Sequence, residues 1–405
     1  MTNVLISGAS VAGPTLAYWL RRYGFDVTVV ERAPAPRPGG QGIDIRGAAR
    51  TVVERMGLME PIRAAHTGVH GMAYVDSAGR QVAEMSGEAF GDSGGIIADL
   101  EILRGDLMHI LMGAADGVEY VYDDTITGLA ETTDGIDVTF ERAPRRRFDL
   151  VVGADGIFST TRRLAFPDGS WRMVDSGYHR AVFTHASSFD LRGIELMYSM
   201  PAGNGTTGGR NVLLYPAHGG ARAMVHFACD PIAYDRGDVT GQKRIVARVF
   251  EGEGWEVPRI LESMWRADDF YFDRHGKVVL DSWHRGRVAL LGDACTAGSV
   301  GMGTTMAIVG AYVLAGELAV ARGDHRVAYP AYQERMRDYA AGNMKPLPGG
   351  IKGFLPATER GIRMRNAMTR IMMRLPGKSL MMGGIDKAVN AITLPDYTNV
   401  ETLTR

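Results

Sequence analysis

Short apolar runs alternate along the chain with glycine turns and stretches of helical periodicity. Val4, Leu5 and Ile6 form an apolar run that stops at Ser7 and Gly8, and Asp26 to Val30 is β-branched and ends in Glu31. Runs of this kind suit strands buried on both faces. Between them Leu16, Ala17 and Leu20 recur at helical spacing, Pro14 sits where an early helical proline is tolerated, and Gly24 marks a stop. Residues 4–31 are therefore predicted as a β-α-β unit. Two further buried strands lead to acids, one from Asp149 to Asp155-Gly156, the other from Arg287 to Gly292-Asp293. After the second, a glycine-rich stretch from Ala294 to Gly303 leads into an apolar helix over 304–320.

Residues 171–273 change character. Runs such as 181–185, 211–215 and 223–228 alternate in the manner of an antiparallel sheet, and 242–262 reads as helical for part of its length. Residues 72–85 read as a hairpin turning at Asp76 to Gly79, 90–95 as a glycine-rich loop, and 118–122 as a strand. The expected fold is α/β: a Rossmann-like unit, an inserted and mostly antiparallel β-sheet unit, and C-terminal helices. The expected boundaries are 1–72, 96–170 and 274–340 for the first, discontinuous unit. Residues 73–95 and 171–273 form the second, and 341–405 the helical segment.

Composition narrows the function. With 405 residues the chain can bury a large core, and its formal charge of −1 gives no electrostatic reason to expect nucleic acid as a partner. Cys229 and Cys295 are the only cysteines and form no metal-spaced cluster; a reduced cytoplasmic protein is expected, with one disulfide left open by the sequence. The chain enters a strand at once, with no basic leader, so secretion is not expected. Met306 to Leu318, the most apolar stretch, contains Glu317 and is too short to span a bilayer. Ile371 to Leu375 and Leu380 to Met382 carry methionines at helical spacing, read as core or pocket lining ahead of membrane contact. Oligomeric state is left open.

The chemistry sits at strand ends. Gly8, Ser10 and Gly13 occupy the three positions of G-x-G-x-x-G, with Val11 and Ala12 at the helix start. Gly8 permits the tight turn, Gly13 lets helix and strand approach, and Ser10 leaves room for a pyrophosphate at the positive helix end. Glu31 falls eighteen residues after Gly13, at the end of the second strand, where a ribose can donate to it. Asp44 and Arg46 are polar tips among apolar neighbours after a Pro/Gly-rich loop. Asp155, Gly292 and Asp293 end strands that point towards a ligand crevice, and Gly301 and Gly303 precede a helix N-terminus that favours negative charge. There is no convincing Ser/His/Asp triad and no metal cluster.

The opening β-α-β unit, Asp155-Gly156-x-x-Ser159-x-x-Arg162 and Gly292-Asp293, in that order, resemble the single-component flavoprotein aromatic hydroxylases. The likeness covers about residues 1–340 and is nearest to the branch of tetracycline-inactivating and antibiotic-tailoring monooxygenases. It implies FAD extended across the first unit, with Gly8 to Gly13 at the pyrophosphate and Glu31 at the adenosine ribose. Arg32 would lie near the adenine, Arg104 near the pyrophosphate and ribityl chain, Asp293 at the ribityl hydroxyls and Asp44 by the flavin. Asp155 would tie the crevice to nicotinamide binding. The activity implied is insertion of one oxygen from O₂, by way of a flavin hydroperoxide, into an aromatic or polycyclic polyketide-like small molecule. NAD(P)H would be the transient co-substrate. In the inserted sheet, Tyr215 and His226 would face substrate, His226 orienting a phenol or enol or promoting its deprotonation; His185 and Met197 are weaker candidates. The stretch Cys295 to Gly303 departs from the family's G-D-A-x-H and P-x-x-G-Q-G pattern, which puts the substrate-facing side of the flavin in question.

Competing readings are a flavin-dependent halogenase, a non-hydroxylating FAD oxidoreductase and a non-enzymatic dinucleotide-binding protein. The halogenase lacks its W-x-W-x-x-I-P stretch here, and a short-chain dehydrogenase would need a Tyr-x-x-x-Lys pair that is absent.

Overall fold

A computed structural model describes residues 1–36, 39–86, 100–186, 190–217, 220–299, 301–345, 349–375, 387–398 and 400. The first part of the chain runs β1 (Asn3–Ser7), α1 (Ala12–Arg22), β2 (Asp26–Glu31), β3 (Gly42–Asp44), α2 (Ala48–Arg55), α3 (Met59–Ala64), β4 (Gly71–Val75), β5 (Gln81–Ser86), β6 (Glu101–Leu103) and α4 (Arg104–Ala114). Next come β7 (Glu119–Tyr122), β8 (Ile126–Glu131), β9 (Ile136–Phe140), β10 (Arg146–Phe148), β11 (Leu150–Gly153) and α5 (Thr160–Ala165). The middle holds β12 (Trp171–His185), β13 (Ile194–Met200), β14 (Arg210–Ala217), β15 (Gly220–Ala228), α6 (Val239–Val249), α7 (Val257–Arg266) and β16 (Tyr271–Leu280). The chain ends with β17 (His284–Arg285), β18 (Val288–Leu290), α8 (Asp293–Thr296), α9 (Gly303–Val320), α10 (His325–Asn343), α11 (Gly350–Phe354) and α12 (Glu359–Arg374).

Six strands in the order β17-β18-β11-β1-β2-β7 form a sheet that is parallel except at β17. Its period of two explains both of its layers. Val4, Ile6, Val27, Val29, Leu150, Val152 and Ala289 point into a core shared with α1, α2, α9 and α10. Leu5, Val30, Val151 and Val288 point the other way, onto Ile136, Val138, Phe140 and Phe148. That second cover is an antiparallel three-stranded sheet, β10-β9-β8, which the sequence reading did not predict. Helix α9 is buried on nearly every side, as expected for its apolar run; its Glu317 is held by Arg335 Nε at 2.6 Å and by the Tyr397 hydroxyl.

A seven-stranded sheet, β16-β12-β15-β14-β13-β4-β5, is antiparallel except where β13 meets β4. The predicted hairpin 72–85 is β4–β5, and it joins strands more than a hundred residues away in sequence. One face packs Val212, Leu214, Ala223, Val225 and Phe227 on α6 and α7. The opposite face carries Leu213, Tyr215, Met197 and Met224, with α11 and α12 supplying Phe354, Met372 and Met373. The glycine-rich loop at 90–95, and the stretch Leu380 to Met382, lie outside the described residues. Cys229 and Cys295 are both free and buried, which closes the disulfide alternative.

Candidate functional site

The β1–α1 turn shows why two of its positions must be glycine. Gly8 has φ +109°, its N–H donates to Val30 O at 2.8 Å, and a Cβ there would lie 2.4 Å from Ala154 O. A Cβ on Gly13 would lie 2.0 Å from Gly8 O, so the helix can enter this close to the strand only without a side chain. Helix α1 has no side-chain cap and no acid in its first turn. Its leading amides are left for an external acceptor, with the helix dipole favouring an anion. Ser10 Oγ accepts from Arg104 Nη1 at 3.2 Å, which brings the α4 start to the turn. Glu31 accepts from Ala9 N at 2.8 Å and Ala33 N at 2.9 Å, so its carboxylate braces this turn as well as standing at the strand end. Arg32 is exposed beside it.

The opposing lip is built from the two later strand ends. Asp155 accepts from Thr161 N and Thr161 Oγ1, both at 2.9 Å, and from Ser159 Oγ, while Ser159 Oγ caps α5 by accepting from Arg162 N at 2.9 Å. Arg162 is 1% exposed and lies over the Trp171 ring at 4.4 Å. It donates to Ala294 O at 2.7 Å and Ile157 O at 2.6 Å. The D-G-x-x-S-x-x-R run is thus a hook from the β11 turn to the residue after Asp293. Asp155 spends its carboxylate inside that hook, so the structure gives it a local fastening part in addition to any contact across the crevice.

Gly292 has φ +61°, and a Cβ on it would come within 3.3 Å of Ala12 Cβ and 3.6 Å of Ala307 Cβ. The β18 end, the α1 start and the α9 start therefore meet here. A Cβ on Gly303, the first residue of α9, would stand 3.4 Å from Asp293 Oδ1; Gly301, with φ +80°, has open space around it. Burial raises the Asp293 carboxyl above its ordinary value although the residue still presents surface to solvent. Open to solvent where the β18 end meets the starts of α1 and α9, this carboxylate forms the floor of a strand-end crevice of the kind in which open parallel sheets take their ligands.

Above this floor stands the face of the seven-stranded sheet. Cross-strand pairing places Arg180 opposite His226, and His226 opposite Asn211. His226 Nδ1 is 2.8 Å from Asn211 Oδ1, while Asn211 Nδ2 points to Met197 Sδ at 3.8 Å. That arrangement assigns the proton to Nδ1 and leaves Nε2 as an acceptor. Burial, reinforced by Arg180 and His275, pushes the imidazole down to about 3, and Phe354 stands edge-on to it with ring centres 4.9 Å apart. Tyr215 is 1% exposed, and its hydroxyl has no hydrogen-bond partner among the described residues; burial raises its pKa, against the opposing pull of the Arg222 guanidinium. Met197 shares this face. His185 does not: it packs on the far side, with Nδ1 3.0 Å from Ser263 Oγ of α7, because alternate strand residues face opposite ways.

Asp44 pairs with Arg46 Nη2 at 2.7 Å and sits across β3–β6 from Glu101. Burial and then Asp44 raise the Glu101 carboxyl to about 7, and burial raises Glu195 of β13 as well. Sequence reasoning missed these two acids. It also missed the ion pair of Arg180 with Asp273, at 2.8 and 3.0 Å, whose carboxylate further accepts from Tyr271 Oη at 2.8 Å. Only cross-strand register, which no local pattern reports, brings these groups together.

A parallel sheet with an uncapped, glycine-walled first βα turn, and a reachable acid at a neighbouring strand end, is the architecture of a dinucleotide-binding enzyme. Residues 1–343 match the family described as FAD binding domain, and the chain belongs to it. It is 34% identical over 400 residues to a flavin-dependent monooxygenase of Legionella longbeachae, covering 98% of each chain. It is also 39% identical over 363 residues, 88% of this chain and 95% of the other, to an uncharacterized protein of Mycobacterium tuberculosis. Among solved structures it resembles tetracycline destructase Tet(51), with TM-score 0.82 and 30% identity over 98% of this chain and 100% of that one. The protein is an FAD-dependent oxidoreductase of the monooxygenase type. The residues present fit FAD: unpaired amides and Arg104 for its phosphates, acceptor carboxylates for its hydroxyls, and no side chain where the Gly8–Gly13 turn must stay thin.

Proposed function

We propose that the protein uses NAD(P)H and O₂ to hydroxylate, or otherwise insert one oxygen into, an aromatic or polycyclic polyketide-like molecule. The observation that carries this reading is the sheet face opposite the Gly8/Asp293 cleft. Leu213, Met197, Met224 and Phe354 make it apolar, and His226 and Tyr215 give it two polar points. The likeness to Tet(51) and Tet(55) supports a substrate of tetracycline-like build. In this reading residues 1–72, 96–170 and 274–340 hold the cofactor, 73–95 and 171–273 hold the substrate, and 341–405 lie alongside.

FAD, when bound, supplies the transfer of electrons from NAD(P)H and the activation of O₂. The chain's own groups bind, orient and exclude water. The α1 amides from Val11 to Gly13, Ser10 and Arg104 would hold the pyrophosphate; Glu31 would take the ribose, Arg32 the adenine edge, and Asp293 the ribityl hydroxyls. Asp44 would stand by the ring system, with Gly292, Gly301 and Gly303 giving backbone access to it. His226 accepts a substrate hydroxyl at Nε2 and so orients it. With its pKa near 3 it is too weak a base to keep a phenol's proton, which favours orientation over deprotonation. The methionine-rich wall excludes water, which suppresses unproductive release of peroxide.

The test is NADPH and NADH oxidation by FAD-loaded protein in air, against tetracyclines, anthraquinones and simple phenols, with hydrogen peroxide measured alongside. Stimulation by one class, with gain of a single oxygen by mass, is expected. Flavin-loaded protein that yields only peroxide with every class would remove the proposed substrates.

A further inference from the structure

Helix α12 has two unlike faces. Ile362, Asn366 and Thr369 are buried against the body of the protein, where α12 meets β5 and β13, and Arg365 lies 4.2 Å over the Tyr74 ring while donating to Ser199 Oγ at 3.0 Å. On the outward side Met364, Met368, Ile371 and Leu375 are 61%, 63%, 61% and 46% exposed. Their spacing of four, three and four places them in one stripe along the helix. Arg360, Arg363, Arg370 and Arg374 flank that stripe and are exposed. None of these four has an acidic partner among the described residues.

Large exposed apolar side chains in a row, bordered by unpaired arginines, are not what a solvated helix needs. Between Glu359 and Arg374 the helix carries five arginines and one acid, whereas the whole chain has a formal charge of −1. Four of the five stand beside the stripe, which gives this face of the helix a net positive charge. A second copy docked face to face would set arginine against arginine; an anionic surface would match both the charge and the apolar row.

We propose that the outer face of α12 binds the anionic surface of a lipid bilayer, with Met364, Met368, Ile371 and Leu375 entering the headgroup boundary and the four arginines meeting lipid phosphates. The inner side of the same helix brings Met372 and Met373 to the sheet face described above, so docking here sets that face next to the bilayer. The claim stands apart from the oxygen-insertion reading, since it concerns the outer surface alone.

The experiment is co-sedimentation of the full-length FAD-loaded protein with vesicles of phosphatidylcholine alone and of phosphatidylcholine with phosphatidylglycerol. Binding is expected only to the anionic vesicles and should weaken as salt rises. Two variants separate the contributions: R363Q/R370Q should lower partition by roughly thirtyfold at low salt, and M368E/I371E should abolish it. Both should keep wild-type flavin content and melting temperature, because these side chains are largely exposed and stand on the side of the helix away from Ile362, Asn366 and Thr369. Equal binding to neutral vesicles, binding that survives both variants, or no binding at all overturns the proposal. So does concentration-dependent dimerisation, read by light scattering, that the M368E/I371E change removes.

Discussion

His179 allows a quantitative test of how burial sets proton affinity in the seven-stranded sheet. It is 1% exposed and packs nearly parallel to the rings of Phe227 and Phe272, 5.3 and 5.6 Å away, in a triangle of rings whose third side, Phe227 to Phe272, is 6.3 Å. Burial first, then Arg274, lowers its pKa from 6.5 to about 4. The depressed value means that below pH 6.5 the unfolded chain takes up a proton that the native protein refuses. Stability contributed by the neutral ring is complete above pH 6.5 and is lost as the pH falls towards 4. At pH 5 the loss comes to about 2 kcal/mol, a large share of the ~5–15 kcal/mol that holds a domain folded. Glu101 and Glu195 act in the opposite sense. Burial raises their carboxyls, so the native state holds protons that the unfolded chain has released, and lowering the pH favours folding at those sites. The pH slope of the wild type is therefore a difference, and His179→Phe isolates one part of it while keeping a ring in the stack. Urea unfolding of both proteins at pH 7.5 and 5.0 should show the variant gaining about 2 kcal/mol on the wild type between the two. An unchanged gap would refute the reasoning, since His179 would then titrate equally folded and unfolded.

Other substitutions probe the cleft. Gly13→Ala should yield protein without the yellow flavin absorbance, because the new Cβ would fall 2.0 Å from Gly8 O and force the turn open. Arg162→Met should cost about 2–4 kcal/mol in thermal or urea unfolding by stranding the carbonyls of Ala294 and Ile157, and should weaken FAD in a fluorescence titration through the displaced Asp293 loop. Tyr215→Phe should leave the melting temperature within a degree or so, since its hydroxyl has no hydrogen-bond partner among the described residues; a rise in KM with kcat retained would mark that hydroxyl as a substrate contact. Asp293→Ala should weaken FAD more than Asp293→Asn, which keeps a hydrogen-bonding oxygen; equal loss would rule out a hydroxyl contact there.

Where chemistry depends on a few consecutive residues, the chain declares it. The β-α-β unit, the glycines at 8 and 13, the acid ending β2 and those following β11 and β18, and the antiparallel character of 171–273 all follow from local spacing, because strand period, helix period and turn sterics act over a handful of positions. Only tertiary structure decided the rest. His226 and His185 look alike in sequence, yet strand register sends one to the Asn211 side and the other to α7. The cover sheet β8–β10 has an ordinary alternating pattern, and what places it is the second apolar face of the six-stranded sheet. Arg162 reaches across more than a hundred residues to the carbonyl beside Asp293, and Glu101, Glu195 and Asp44 come together from three strands. Contacts of such sequence separation are fixed by how whole layers pack, and their electrostatic consequences exist only once water has been excluded.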